Sequence, residues 1–332
     1  MSMQVVVYDK VGSEMAFTIR EMPIPAVGAN EVLYEVEAFG LNQADILLIQ
    51  GNHYVVQDLP IRLGYEGTGT VIAVGKNVKK FREGDKVTCM PNVDGPYSNA
   101  GTHALAQERF LTKRPAGYSA QEAAHLWMQT LTAYYPMVEL FPIKPGDWVM
   151  ITAATGGSGI GAIQMAKLLG ARVIATTRSP ERKREFLTQL GADHVIETYG
   201  TDTIDEVNEI TGGEGVRLVC DSIGGPHVNT YASTLAPQGI LYIYGILSNE
   251  DVSLPALTLA HRGAGLYGFS LINELRKPGA LERGRDFVLA AIGAGKIKRP
   301  VIDRVFPFEK SAEAYQYLVS GTKYGKIIVS VK

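Results

Sequence analysis

The chain has 332 residues, 46% of them hydrophobic and 20% charged, the profile of a globular protein of two domains or one large one. Lys plus Arg number 32 and Asp plus Glu 34, and no run of like charge points to nucleic acid or an anionic membrane as partner. No apolar run approaches the roughly 18 residues needed to cross a bilayer, and two cysteines, Cys89 and Cys220, are too few for a disulfide framework or a structural zinc site.

The opening Met-Ser-Met-Gln-Val lacks the pattern of a secretory leader, so a cytoplasmic location is the expectation. Residues 1 to about 120 carry short β-type runs, Val5–Tyr8, Glu31–Ala38, Gly67–Val74 and Lys86–Met90, punctuated by Gly and Pro. They predict an antiparallel, partly barrel-like domain.

From about Ala120 strands alternate with helices. Strands are predicted at Trp148–Ala153, Arg172–Thr176, His194–Ile196, Val216–Cys220 and Ile240–Tyr244. Helices are predicted at Gly159–Leu169, Pro180–Leu190, near Asp202–Thr211 and from His227 to Leu235. This order predicts a parallel sheet covered on both faces. Leu266–Phe269 reads as the last strand of that sheet. Helices near Ala280–Ile292 and Lys310–Leu318 follow, then a strand at Lys326–Val331.

The turn between the first of these strands and its helix carries chemistry. Ala154-x-Gly156-x-x-Gly159 is a dinucleotide fingerprint with Ala in place of the first Gly. Small residues let the chain turn tightly and bring backbone N–H groups to a pyrophosphate at a helix N-terminus. Ala154, Thr155, Gly156, Gly157, Ser158, Gly159 and Ile160 are the candidate contacts. An NAD-binding chain places Asp or Glu about twenty residues on to hold the ribose 2′-hydroxyl. Here the sequence is Thr176-Thr177-Arg178-Ser179, with Arg182 one turn later. Hydroxyls and guanidinium groups bind a 2′-phosphate that a carboxylate would repel. The expected cofactor is NADP(H), with Thr177, Arg178, Ser179 and Arg182 at the phosphate.

Several further stretches together resemble the medium-chain dehydrogenase/reductase superfamily nearly end to end. They are Gly64-Tyr-Glu-Gly-Thr-Gly69, Val74-Gly-Lys-Asn-Val78, Phe81-Arg-Glu-Gly-Asp-Lys-Val87, Leu131-Thr-Ala-Tyr134, Leu190-Gly-Ala-Asp-His194, Asp221-Ser-Ile-Gly-Gly225 and Gly325-Lys-Ile-Ile-Val329. The resemblance implies an α/β protein, a GroES-like partly barrel-shaped β domain joined to a Rossmann doubly wound parallel sheet, with the active site in the cleft between them. The expected division is 1–120 catalytic, 121–270 cofactor-binding and 271–332 returning to the catalytic domain.

A zinc enzyme of the superfamily would have Cys where this chain has Asn42 and His where it has Tyr65. It would also carry a four-cysteine lobe around residues 90–110, a region without Cys. Catalytic zinc needs three protein ligands and an open position, so no metal is expected. Gly40-Leu-Asn-x-x-Asp45 is similar instead to the zinc-free quinone oxidoreductase branch, and Ile49-Gln-Gly-Asn-His-Tyr54 to trans-2-enoyl thioester reductases. The resemblance implies a catalytic Tyr54 that polarises a carbonyl or donates a proton; with His53 beside it, either residue fills that place. It implies that Asn42 bonds the cofactor ribose or the substrate. It further implies Thr132, Tyr199, Ser222, Gly245, Phe269 and Lys326 as cofactor contacts, and a place for His103 near the cleft floor.

The expected activity is NADPH-dependent, zinc-independent hydride transfer to a small electrophilic acceptor, a quinone or an α,β-unsaturated carbonyl compound. The alternatives are a trans-2-enoyl thioester reductase and an NADPH-binding protein with little turnover. A homodimer is expected through the edge strand near Leu266–Phe269, since an unpaired apolar edge invites association.

Overall fold

The computed structural model describes residues 2–12, 17–53, 59–92, 98–198, 200, 202–248, 250–321 and 324–332. It divides into two compact units, Met1–Met128 with Arg299–Lys332, and Gln129–Lys298.

In the first unit the central strand is Glu31–Gly40, where Val32, Tyr34, Val36, Ala38 and Phe39 are all fully buried. Aromatic and β-branched residues on a surface covered on both sides favour such a strand. It pairs antiparallel with Glu66–Val74, with His103–Gln107 and with the returning strand Lys326–Ser330. The sheet continues outward through Lys86–Cys89 and Leu111–Lys113 on one side and Ile302–Pro307 on the other. Gly69 is required where Glu31–Gly40 and Glu66–Val74 pair with irregular register, because a Cβ there would lie 2.0 Å from the Glu35 carbonyl oxygen. A second, three-stranded antiparallel sheet is formed by Phe17–Pro23, Ser2–Tyr8 and Ile61–Arg62. The antiparallel β architecture expected for this part of the chain is present.

The second unit holds a six-stranded sheet in which every pairing is parallel. Its spatial order is 194–197, 172–177, 148–151, 216–221, 235–243, 265–268. Taken in chain order this is 3-2-1-4-5-6, the doubly wound dinucleotide-binding arrangement. Between the strands run helices Gly157–Leu168, Pro180–Leu190, Thr203–Thr211, His227–Ser233 and Ala256–Arg262. One face of the sheet packs Met150, Ile174, Val219 and Leu241 against Val207, Val228 and Tyr231.

Two expectations need correction. The helix expected to run to Leu235 stops at Ser233, and Leu235 already starts the next strand. That strand is irregular: Gln238 has φ 60 and the register shifts beside it, so its alternation is broken in the sequence. The helix Gln43–Gln50 was not anticipated. It is short, and the carboxylate that caps it comes from its own first turn. Residues 271–298 sit with the second unit. The Tyr135 hydroxyl donates to the Ala280 carbonyl at 2.8 Å, and Gly284 lies so near Leu131 and Tyr135 that a Cβ would meet both at 2.8 Å. Among the described residues no helix is long and apolar enough to cross a membrane.

Candidate functional site

The glycine-rich turn lies in the second unit, between the strand Trp148–Ile151 and the helix Gly157–Leu168. Gly156 is the helix N-cap in extended conformation, and no side chain caps the helix. The first backbone N–H groups of a helix have no intrahelical acceptor, and the helix dipole adds positive potential. Gly159 lets the helix start close to the turn, since a Cβ there would lie 2.7 Å from Ala154 Cα and 2.8 Å from its carbonyl carbon and oxygen. Ala153 is left-handed, with φ 46, and its carbonyl accepts from Gly156 N at 3.0 Å. An alanine in that region costs about 1 kcal/mol, so the surrounding structure holds the turn in place.

Part of that holding comes from Asp221, which sequence reasoning passed over as a site residue. Thr152, at the start of the turn, donates to Asp221 Oδ1 at 2.7 Å and accepts from Ser222 N at 3.1 Å. The Asp221 carboxylate also accepts from Gly224 N at 2.8 Å. Burial pushes its pKa up, against the pull of these hydrogen bonds. The turn and the loop 221–225 are therefore coupled through one buried carboxylate. Ser222 belongs to this loop, and Gly245 lies against it, where a Cβ would be 2.7 Å from the Ser222 carbonyl oxygen.

Beside the turn the strand Arg172–Thr177 ends in a buried Thr177, and Ser179 caps the helix Pro180–Leu190 by position. Arg178 and Arg182 are exposed. The fold brings Lys183 to the turn, with its Nζ 3.5 Å from Thr155 Oγ1. Burial and then the Arg178 charge lower the Lys183 pKa. A cation both desolvated and repelled by a neighbour is one an anion would relieve. The missed signal was helical spacing, because Lys183 is four residues on from Ser179 and shares its face.

Of the other expected contacts, Thr132 is buried in the helix Leu126–Tyr134. Phe269 is buried against Tyr242, edge to face at 5.9 Å. Tyr199 lies outside the described residues, as does Tyr54.

In the first unit Asn42, Glu66 and Lys326 meet in a buried cluster. Asn42 Nδ2 donates to the Gly40 carbonyl and to Glu66 Oε1, both at 3.3 Å, and Asn42 Oδ1 accepts from Lys326 Nζ. Lys326 Nζ is also 3.0 Å from Glu66 Oε1. Glu66 Oε2 accepts from Trp127 N at 3.1 Å and Met128 N at 2.9 Å. Lys326 is thus committed to Glu66 and Asn42 rather than extended into solvent. Asp45, also fully buried, accepts from Asn42 N at 2.9 Å and Gly64 N at 3.0 Å, tying the two motif segments together. The Tyr65 hydroxyl is 3.5 Å from His53 Nε2, and both residues are buried. His103 is half-buried, with Nδ1 3.0 Å from the Thr102 hydroxyl and opposite Glu35 in the strand register.

Burial pushes the Asp45 carboxyl up to about 6, against the hydrogen bonds from Gly64 and Asn42. The sign follows from linkage: a pKa raised on folding means the folded state holds more protons, so this contribution is fully present below the unfolded pKa and is lost as pH rises through about 6. The loss amounts to about 3 kcal/mol at most. Asp45→Asn should flatten the stability curve between about pH 4 and 6, measured as urea midpoints across that range.

Residues 28–131 match the Alcohol dehydrogenase GroES-like domain family and residues 157–285 the Zinc-binding dehydrogenase family. A 2-haloacrylate reductase of a Burkholderia species is 31% identical, covering 99% of both chains. A quinone oxidoreductase of Pseudomonas aeruginosa is 31% identical over 91% of each. The structure of Escherichia coli quinone oxidoreductase in complex with NADPH superposes with a TM-score of 0.87 and 27% identity, over 98% of this chain and 99% of that one.

The second family description implies a zinc ion, and the donors here do not fit one. Asn42 and Tyr65 offer an amide and a phenol, and burial pushes the Cys89 thiol up to about 11, keeping it protonated. Among the described residues no three His, Cys, Asp or Glu side chains are grouped to hold a metal. By its matched domains, its parallel 3-2-1-4-5-6 sheet and its full-length relatives, the chain belongs to the medium-chain dehydrogenase/reductase superfamily, in the quinone oxidoreductase-like branch, and is an oxidoreductase of that type.

Proposed function

We propose that the protein is an NADPH-dependent reductase of quinones or α,β-unsaturated carbonyl compounds that works without a metal ion. The observation that carries this reading is the uncapped glycine turn with Lys183 and Arg178 beside it. Backbone N–H groups at Gly157–Gly159 suit a pyrophosphate. Lys183, Arg178 and the Thr155 and Thr177 hydroxyls suit a 2′-phosphate. Bound there, the reduced nicotinamide supplies a hydride. Such acceptors spread the incoming charge onto oxygen, so the chain need only orient them, stabilise that oxygen and admit a proton. Asn42, held rigid by Lys326 and Glu66, and Tyr54 are the proposed contacts on the acceptor side.

NADPH oxidation across a panel of quinones, enones and enoyl thioesters tests the reading, and thioester efficiency far above the rest would overturn the acceptor assignment. Arg178→Ala with Lys183→Ala should lower kcat/KM for NADPH by about 100-fold, the worth of one or two charge-assisted hydrogen bonds, and that for NADH far less. Equal losses with both cofactors would remove the 2′-phosphate assignment.

A homodimer through the sheet edge is part of the same proposal. Among the described residues the strand Gly265–Gly268 pairs with a neighbour within the sheet on one side only. Leu266 and Tyr267 on it are more than a third exposed, and Leu257 on the helix Ala256–Arg262 is 86% exposed. A second copy pairing along this edge would cover them.

A further inference from the structure

The helix Gly157–Leu168 carries the cofactor turn at its start and a groove of about 430 Å³ at its end, about 15 Å away along the axis. Gln164, Lys167 and Leu168, three and four residues apart on one helix face, line the groove. So do Leu190 and Gly191, where the helix Pro180–Leu190 ends. Lys296 and Lys298 complete the lining, and all of these residues belong to the second unit. The backbone fixes the two later lysines. Gly295 is left-handed, with φ 66, and its N–H and that of Lys296 bond back to the Ile292 and Ala291 carbonyls, both at 2.9 Å. Ile297 is buried, whereas the lysines on either side of it are exposed. Lys298 Nζ donates to the Gln189 carbonyl at 3.2 Å, and Lys167 Nζ to the Asp193 carboxylate at 2.8 and 3.1 Å. The Lys167 stem lies across Gly191, where a Cβ would come 2.9 Å from Lys167 Cγ. Among the described residues no hydrogen bond or ion pair engages the Lys296 ammonium. Gln164 is only 8% exposed, and its Nε2 is buried without an acceptor. A buried donor left unpaired is costly, so a position that served packing alone would favour an apolar side chain.

We propose that this groove binds a small monocarboxylic acid with an apolar tail. The carboxylate accepts from the Lys296 ammonium and from Gln164 Nε2, each a charge-assisted hydrogen bond. A half turn about the last side-chain bond of Gln164, a torsion without steep preference, brings the N–H groups to it. Leu168, Leu190 and the methylene stem of Lys167 take the tail. Asp193 and the C-termini of the helices Gly157–Leu168, Pro180–Leu190 and Ala280–Gly293 offset much of the lysine charge. That balance suits a single negative charge and disfavours a doubly charged phosphate ester. The site is separate from the cofactor turn and does not depend on which acceptor the protein reduces.

Calorimetric titration with octanoate, octan-1-ol and inorganic phosphate, with and without saturating NADPH, tests the site. Octanoate should bind once per chain, with an affinity that NADPH leaves unchanged. Octanol lacks the charge and phosphate lacks the tail, so each should bind at least about tenfold more weakly. Lys296→Met should weaken octanoate about tenfold, the worth of one charge-assisted hydrogen bond. Gln164→Met should weaken it similarly and raise the melting temperature of the free protein, because the unpaired buried donor is gone. A structural role for the Gln164 amide gives the opposite sign, so a lower melting temperature overturns the proposal. Octanoate that does not bind, that NADPH displaces, or that binds both variants as tightly as wild type overturns it too. Phosphate binding as tightly as octanoate would reduce the groove to a plain anion patch and remove the acid with its tail.

Discussion

Glu66→Ala is expected to lower the stability of the protein by about 3–5 kcal/mol, the cost of leaving one member of a buried ion pair without its partner. The carboxylate is fully buried and every bond it makes is internal. Its removal strands the Lys326 ammonium, itself 7% exposed, and takes the acceptor from the Trp127 and Met128 N–H groups. The Asn42 amide loses one of its two acceptors as well. Glu66→Gln keeps an oxygen for the backbone donors and should cost less. Adding Lys326→Met to Glu66→Gln should recover part of the loss, since a neutral pair no longer carries an unpaired charge. Calorimetric unfolding of the variants checks this order, and a Glu66→Ala protein as stable as wild type would show that the cluster is not a closed ion pair in solution.

At the cofactor turn two glycines separate packing from ligand space. Gly159→Ala places a Cβ 2.7 Å from Ala154 Cα and 2.8 Å from its carbonyl carbon. Both are backbone atoms, so the helix start must move off the turn. NADPH affinity should fall by at least about 100-fold, the scale of losing one or two charge-assisted hydrogen bonds from the N–H cradle, together with a drop in melting temperature. At Gly156 the nearest atom to a Cβ is the Ala153 carbonyl oxygen at 3.4 Å, an ordinary contact. Gly156→Ala should therefore fold with nearly wild-type stability, and any loss of NADPH affinity there comes from crowding the phosphate. Fluorescence titration with NADPH alongside thermal melts reads both quantities. A Gly159→Ala protein with unchanged affinity would remove the pyrophosphate from this turn.

The amino-acid sequence by itself determined the features that short-range physics writes locally. The buried runs at 148–151, 172–177 and 216–221 announced parallel strands, and the small residues from Ala154 to Gly159 announced a tight turn into a helix. Alternation and turn residues located Glu31–Gly40, Glu66–Val74 and Lys86–Cys89 to within two residues, whereas the strands Phe17–Pro23, His103–Gln107 and Ile302–Pro307 were not anticipated. Those signals depend on neighbours a few positions apart, where periodicity and backbone preference act.

Only the tertiary structure decided which side chains answer one another. Lys326 and Asn42 are 284 residues apart and Trp127 and Glu66 are 61 apart, and nothing local in either segment says that they meet. Lys183 was overshadowed by two arginines until the helix Pro180–Leu190 turned it back toward Thr155. Asp221 read as part of a family motif, and the fold made it the tie between two loops. The reason is the same in each case: a buried charge must find its partner wherever the chain happens to pass. The dinucleotide turn was therefore legible from its own residues, whereas the polar clusters that hold both units' motifs in place became visible only once distant strands were laid side by side.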